Sequence, residues 1–154
     1  MKVYKLQYTH IIDSDINKVF DFFSNPENLA LITPSKLDFK ILTPVPIKMK
    51  EGQLIDYTIK LAGFNVRWRT MITEYLPMKS FVDQQLVGPY SMWHHTHEFE
   101  ELDGCIKMID TINYVMPFGL IGRIVNAFWV KRDLNKIFEY RKKIINEYFI
   151  KGDN

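Results

Sequence analysis

The chain has 154 residues, of which 47% are apolar, 14% aromatic and 25% charged, with a formal net charge of +2. A chain of this length and composition is globular and not disordered, and has room for one core that buries roughly 70% of the unfolded surface. The lone Cys105 excludes an internal disulfide, and no run of about 18 apolar residues is present to span a membrane. A single domain over residues 1–154 is expected. The opening Met1-Lys2-Val3-Tyr4 lacks the apolar segment of a signal peptide, which makes the cytoplasm the expected location. Charge is unevenly placed: residues 1–117 carry 12 basic and 14 acidic side chains, residues 118–154 carry 8 and 4. The basic residues are interspersed, as on a solvated helix face.

In chain order, Val3, Lys5, Gln7 and Thr9 alternate with Tyr4, Leu6, Tyr8 and His10, a strand with one buried face. Asp13-Ser14-Asp15 then supplies N-cap side chains for a short helix carrying Ile16, Val19, Phe20 and Phe23. Pro26 opens a second short helix with Leu29 and Ile32 as its contacts, closed by Thr33-Pro34. A strand is expected over residues 37–43, and two more over residues 53–62 and 65–75, joined by a hairpin at Ala62-Gly63-Phe64. Residues 79–87 read as extended, Gly88-Pro89 breaks the chain, and residues 93–102 and 105–115 pair across Asp103-Gly104.

From residue 118 to 149 the period becomes helical. Ile121, Ile124, Val125, Phe128, Ile137, Phe138, Ile144, Ile145 and Tyr148 form an apolar face, and Arg123, Lys131, Arg132, Lys136, Arg141, Lys142 and Lys143 form a basic one. This predicts one long amphipathic helix. The whole is α+β: a curved antiparallel sheet of six to seven strands around a long C-terminal helix, with two short helices after the first strand. Such an arrangement is expected to leave a cavity between sheet and helix.

Strand parity sorts the side chains that face that cavity. Trp93, His95, His97 and Phe99 share one face. Ile106, Met108, Asp110, Ile112 and Tyr114 share the inner face of the partner strand. Trp68 and Ile72 point inward and Arg67 and Arg69 outward, with Tyr57, Ile59 and Leu61 joining the inner set. Residues 79–87 give no clear inner face, since Phe81, Asp83, Gln85 and Val87 oppose Val82, Gln84 and Leu86. An inward Asp110 needs a partner, and His95 or His97 on the neighbouring strand is the natural one. An aromatic pocket with a few convergent polar groups is the usual form of a small-molecule site.

His95, His97 and Asp110 also make a metal donor set of two imidazoles and a carboxylate. No third histidine lies on the adjacent strands, so no metal and no cofactor is expected. A catalytic reading would make His97 a general base held by Asp110. The chain has no nucleophile elbow and no glycine-rich phosphate loop, and its basic residues lack the aromatic platform of single-strand binders, so nucleic acid is not an expected partner.

The spacings Gly88-Pro89-Tyr90, Trp93-x-His95-x-His97-x-Phe99 and Asp110-x-x-x-Tyr114-x-x-Pro117-x-Gly119 resemble the bacterial ligand-binding branch of the START-like (SRPBCC) superfamily, which includes polyketide cyclase/dehydrase-like and lipid-transport-like proteins. The resemblance covers nearly the whole chain. It implies a helix-grip fold and a deep apolar cavity that takes lipids, sterols, polyketides, quinones or aromatics. Cys105 departs from the pattern, since relatives often have a small hydroxyl residue there. The expectation is therefore a carrier or binder of a small apolar molecule, contacted by Tyr57, Trp68, Trp93, His95, His97, Phe99, Asp110, Tyr114 and Phe128. The alternative is a cyclase or dehydratase using His95, His97 and Asp110 for proton transfer. A monomer or homodimer without stable membrane insertion is expected.

Overall fold

The computed structural model describes residues 1–151, and the polar tail from Gly152 to Asn154 lies outside the described residues. Strand β1 (Val3–Ile12) leads into helix α1 (Ile16–Phe23), then two 3-10 turns, Pro26–Ala30 and Ser35–Leu37. Six further strands follow: β2 (Lys40–Ile41), β3 (Leu54–Leu61), β4 (Phe64–Leu76), β5 (Ser80–Val87), β6 (Met92–Leu102) and β7 (Cys105–Val115). Helix α2 (Gly119–Val125), a π turn (Asn126–Val130) and helix α3 (Lys131–Lys151) complete the chain. The strands form one antiparallel sheet in the order β1-β7-β6-β5-β4-β3-β2. The expected α+β helix-grip architecture is therefore present.

Local chemistry explains most boundaries. The Asp15 carboxylate accepts from the Lys18 amide at 3.0 Å and caps α1. Ala62 and Gly63 both have positive φ, 48° and 86°, the backbone that a two-residue hairpin of matching twist requires. The second short helix is present, opened by Pro26 as expected and of 3-10 type. One expectation is corrected here: the strand expected over residues 37–43 is only Lys40–Ile41. Leu37 is instead drawn into a turn in which its amide donates to the Pro34 carbonyl at 2.9 Å, and its side chain is buried.

The C-terminal helix is also not the single regular helix expected. At the π turn the Lys131 amide donates to the Asn126 carbonyl, five residues back. The wider turn inserts a residue and shifts the phase of everything before it. Ile121, Ile124 and Phe128 consequently stand 68%, 54% and 79% exposed, while Phe138 and Ile145 are buried. The turn is held by Asn126, buried at 2% exposure, whose Oδ1 accepts from the Tyr114 hydroxyl at 2.7 Å. Two clusters fill the layers between sheet and helices. One joins Val19, Phe20, Phe22 and Phe23 of α1 to Ile106, Met108, Ile145 and Phe149. The other joins Trp68, Trp93, Ile112 and Tyr114 to Leu134 and Phe138.

Candidate functional site

Between these clusters lies a partly open cavity of about 170 Å³, lined by the sheet, α1, α3 and the 3-10 turns. Its aromatic wall comes from β3, β4 and β6 and from the connection between β5 and β6. Trp68 and Trp93 meet edge to face with centroids 5.5 Å apart, Tyr57 stacks on Trp68 at 5.8 Å, and Tyr90 lies 4.9 Å from Trp93. From α3, Leu134, Ile137, Phe138 and Arg141 face the same space. A more open depression shares Leu37 and Leu61 with the cavity and is bordered by Trp129 and the Ala62-Gly63 turn.

Strand register assembles the polar end. Asp83 of β5 sits directly opposite His95 of β6, and Asp110 of β7 directly opposite His97. His95 Nε2 hydrogen-bonds Asp110 Oδ1 at 2.8 Å, and His97 Nε2 hydrogen-bonds Asp83 Oδ2 at 2.9 Å. The second nitrogens complete a square: His95 Nδ1 is 3.4 Å from Asp83 Oδ2, and His97 Nδ1 is 2.8 Å from Asp110 Oδ1. That last contact is close but lacks hydrogen-bond alignment, leaving Nδ1 of His97 without a hydrogen-bond partner. The two imidazoles lie 3.8 Å apart. Asp83, His95 and His97 line the cavity, and Asp110 stands behind the histidines.

Charge in this square is set by burial working against mutual attraction. Burial disfavours the His97 imidazolium, but bonding and attraction from Asp110 and Asp83 outweigh it and lift its pKa to about 9. His95 goes the other way, lowered by burial and then by the His97 cation, with the carboxylates only partly compensating. Burial alone would raise both aspartates. The histidines more than reverse this and hold Asp83 and Asp110 below the usual carboxylate range.

Arg141 completes the polar end. Its guanidinium lies over the Phe138 ring at 4.8 Å, and its Nε is buried without a hydrogen-bond partner. Burial lowers its pKa, opposed by attraction to Asp110, Asp83 and Tyr57. Trp68 Nε1 is a second buried donor without a partner in the same lining.

Of the nine expected contact residues, Tyr57, Trp68, Trp93, His95 and His97 line the cavity. Asp110 reaches it only through the histidines. Phe99 packs instead against α1 in the neighbouring cluster, its ring 5.2 Å from Phe20. Tyr114 is fully buried beneath the wall, tied to Asn126. Phe128 is corrected outright, because the π turn carries it to the surface. Two residues the parity argument missed are central. Asp83 lay on a strand with no apolar face to orient it. Arg141 was assigned to the basic outer face, although it sits three residues after Phe138 and four before Ile145, on the buried stripe.

No family model and no curated protein matches this sequence. Solved structures do match. A protein from Chromobacterium violaceum aligns with TM-score 0.73 at 10% identity, over 94% of this chain and 96% of that one. Ginseng major latex-like protein 151 from Panax ginseng aligns with TM-score 0.70 at 12% identity, over 96% and 97%. Ara h 8.0201 aligns with TM-score 0.67 at 12% identity, over 97% and 99%. At such identities the likeness establishes the helix-grip fold and nothing finer. Among the described residues no helix is long and apolar enough to cross a membrane.

Proposed function

We propose that this chain is a single-domain binder of a small, mostly aromatic molecule that carries at least one hydrogen-bond acceptor, held in the cavity between sheet and α3. The observation that carries this reading is an aromatic-walled hollow whose lining residues include buried polar atoms without a hydrogen-bond partner, Trp68 Nε1 and Arg141 Nε together with Thr70 Oγ1 and His97 Nδ1. Buried donors are rarely left unpaired, and an acceptor on a ligand would satisfy them. Size narrows the class. A cavity of about 170 Å³ is comparable to an engineered void of about 150 Å³ that takes benzene, so one- or two-ring molecules fit without rearrangement. Sterols and long lipids, which the family resemblance also suggested, would require the walls to part.

Native mass spectrometry of the purified protein, followed by extraction, tests this. A stoichiometric aromatic adduct that Trp93→Ala releases is the expected result. Failure of both endogenous and added one- and two-ring acids or phenols to bind with a Kd of about a millimolar or tighter would overturn it. A second reading, proton-transfer catalysis of the cyclase or dehydratase type, is favoured by the imidazole of His97 facing the same cavity between two carboxylates. In that case His97→Gln should abolish turnover while changing ligand affinity less than about tenfold. Parallel loss of both would leave binding alone.

A further inference from the structure

We propose that Asp83, His95 and His97 form a binding site for one divalent first-row transition-metal ion, with its open side toward the cavity. The sequence offered His95 and His97 with Asp110 as the carboxylate, and no third histidine on the adjacent strands; in the structure Asp110 stands behind the rings and does not line the cavity. The fold supplies the third ligand from β5. One donor atom from each of the three residues lies within 4.8 Å of the others. Asp83 Oδ2 is 2.9 Å from His97 Nε2 and 3.4 Å from His95 Nδ1. Donors bound about 2.1 Å from a common ion stand about 3.0 Å apart on an octahedral face and about 3.4 Å apart on a tetrahedral one. The two separations to Asp83 fall at that spacing, and the two histidine donors, within 4.8 Å of each other, close on a common ion once the His97–Asp83 hydrogen bond is exchanged for the metal.

One of the two remaining nitrogens, His95 Nε2, is disposed as a metal-binding histidine requires. Both face one carboxylate oxygen, Asp110 Oδ1, each at 2.8 Å. A histidine that binds a metal through one nitrogen is normally oriented by an acceptor at the other, which fixes the tautomer and makes the ring more basic. Asp110 orients His95 in this way from behind, while His97 Nδ1 lies at the same distance without hydrogen-bond alignment, and Asp110 does not line the cavity. Two imidazoles with one carboxylate suit Zn²⁺, Co²⁺, Fe²⁺ or Mn²⁺ better than Ca²⁺ or Mg²⁺, which prefer all-oxygen shells. Binding displaces the proton that the metal-free square holds between His97 and the aspartates. The resulting extra positive charge, beside the guanidinium of Arg141, favours hydroxide or an acidic ligand oxygen in the open position.

The test uses the chelator-treated full chain titrated with Co²⁺, read by visible absorption, and with Zn²⁺, read by calorimetry. One equivalent should bind with micromolar or tighter Kd. Asp83→Asn and His95→Gln should each weaken binding at least 100-fold, and Asp110→Asn about 10- to 100-fold with one site retained. His94→Ala and Cys105→Ser, outside the cluster, should leave the titration unchanged. No saturable binding by the native chain overturns the proposal. So does unchanged affinity in Asp83→Asn, or loss of the site in His94→Ala or Cys105→Ser. If Asp83→Asn fails to fold, proton NMR of the Co²⁺-loaded native chain decides: shifted ring signals from both His95 and His97 support the site, and their absence refutes it. Because only the metal is added, failure here leaves the aromatic-ligand reading standing, and the reverse also holds.

Discussion

His97 carries opposite instructions from its surroundings, and the balance predicts a pH dependence. Its folded pKa of about 9 lies above the ordinary value of 6.5, so the folded protein holds this proton more tightly than the unfolded chain does. The stabilisation is therefore complete below about pH 6.5 and is lost as pH rises through about 9. Asp83 and Asp110 are depressed below 3.8, so their contribution is complete above that value and lost on acidification. In chelator, the thermal midpoint should decline between about pH 7 and 9, and His97→Gln should remove that decline. A midpoint of the native chain that stays flat over this range would contradict the assignment. Single-residue burial gives a second contrast. Phe138, packed on Tyr8 at 4.2 Å, should cost about 3–5 kcal/mol when truncated to alanine. Phe128→Ala should change stability by no more than about 0.5 kcal/mol. Equal effects, measured by urea unfolding, would mean that the π turn does not set the helix phase as described.

At the scale of elements, the join between sheet and terminal helices decides which helix face is buried. Gly122 packs so closely on the preceding segment that an added Cβ would lie 1.9 Å from the Pro117 carbonyl oxygen. Gly122→Ala should therefore destabilise the fold by about 1–3 kcal/mol through overpacking, despite alanine's better helix propensity. A stabilised variant would show that the α2 start adjusts freely. Tyr114→Phe leaves Asn126 without its donor and should cost about 1–3 kcal/mol, detectable as a lower urea midpoint at unchanged m-value. Nothing in the run Asn126-Ala127-Phe128-Trp129-Val130 signals a π turn at helical period. Its cause, the buried hydroxyl of Tyr114, lies on a strand twelve residues earlier.

For the molecule as a whole, cavity size and polarity make a graded prediction. Trp68 and Trp93 both line the hollow, so intrinsic fluorescence reports its occupancy. One- and two-ring phenols or carboxylic acids should quench it saturably, and neutral hydrocarbons of the same size should bind at least tenfold more weakly through loss of the acceptor. Equal affinity for acid and hydrocarbon would remove Arg141 and Trp68 Nε1 from recognition.

Alternation and helical period were enough to read the strand count, the antiparallel hairpins, the capped α1 and the inward set Trp93, His95, His97 and Asp110. These follow from local physics: side chains alternate on a strand, and short turns demand particular backbone conformations. What only the tertiary structure decided is everything that depends on packing between elements. The short β2, the phase break that exposes Phe128, the inward turn of Asp83 and the burial of Arg141 all belong to this class. Asp83 gave no signal because its strand alternates between two mixed faces, and its orientation comes from pairing with β6. Arg141 gave a misleading one, because charge usually marks the solvent face of a helix. Here its guanidinium lies over the Phe138 ring, and attraction to Asp110 and Asp83 offsets part of the cost of burying it.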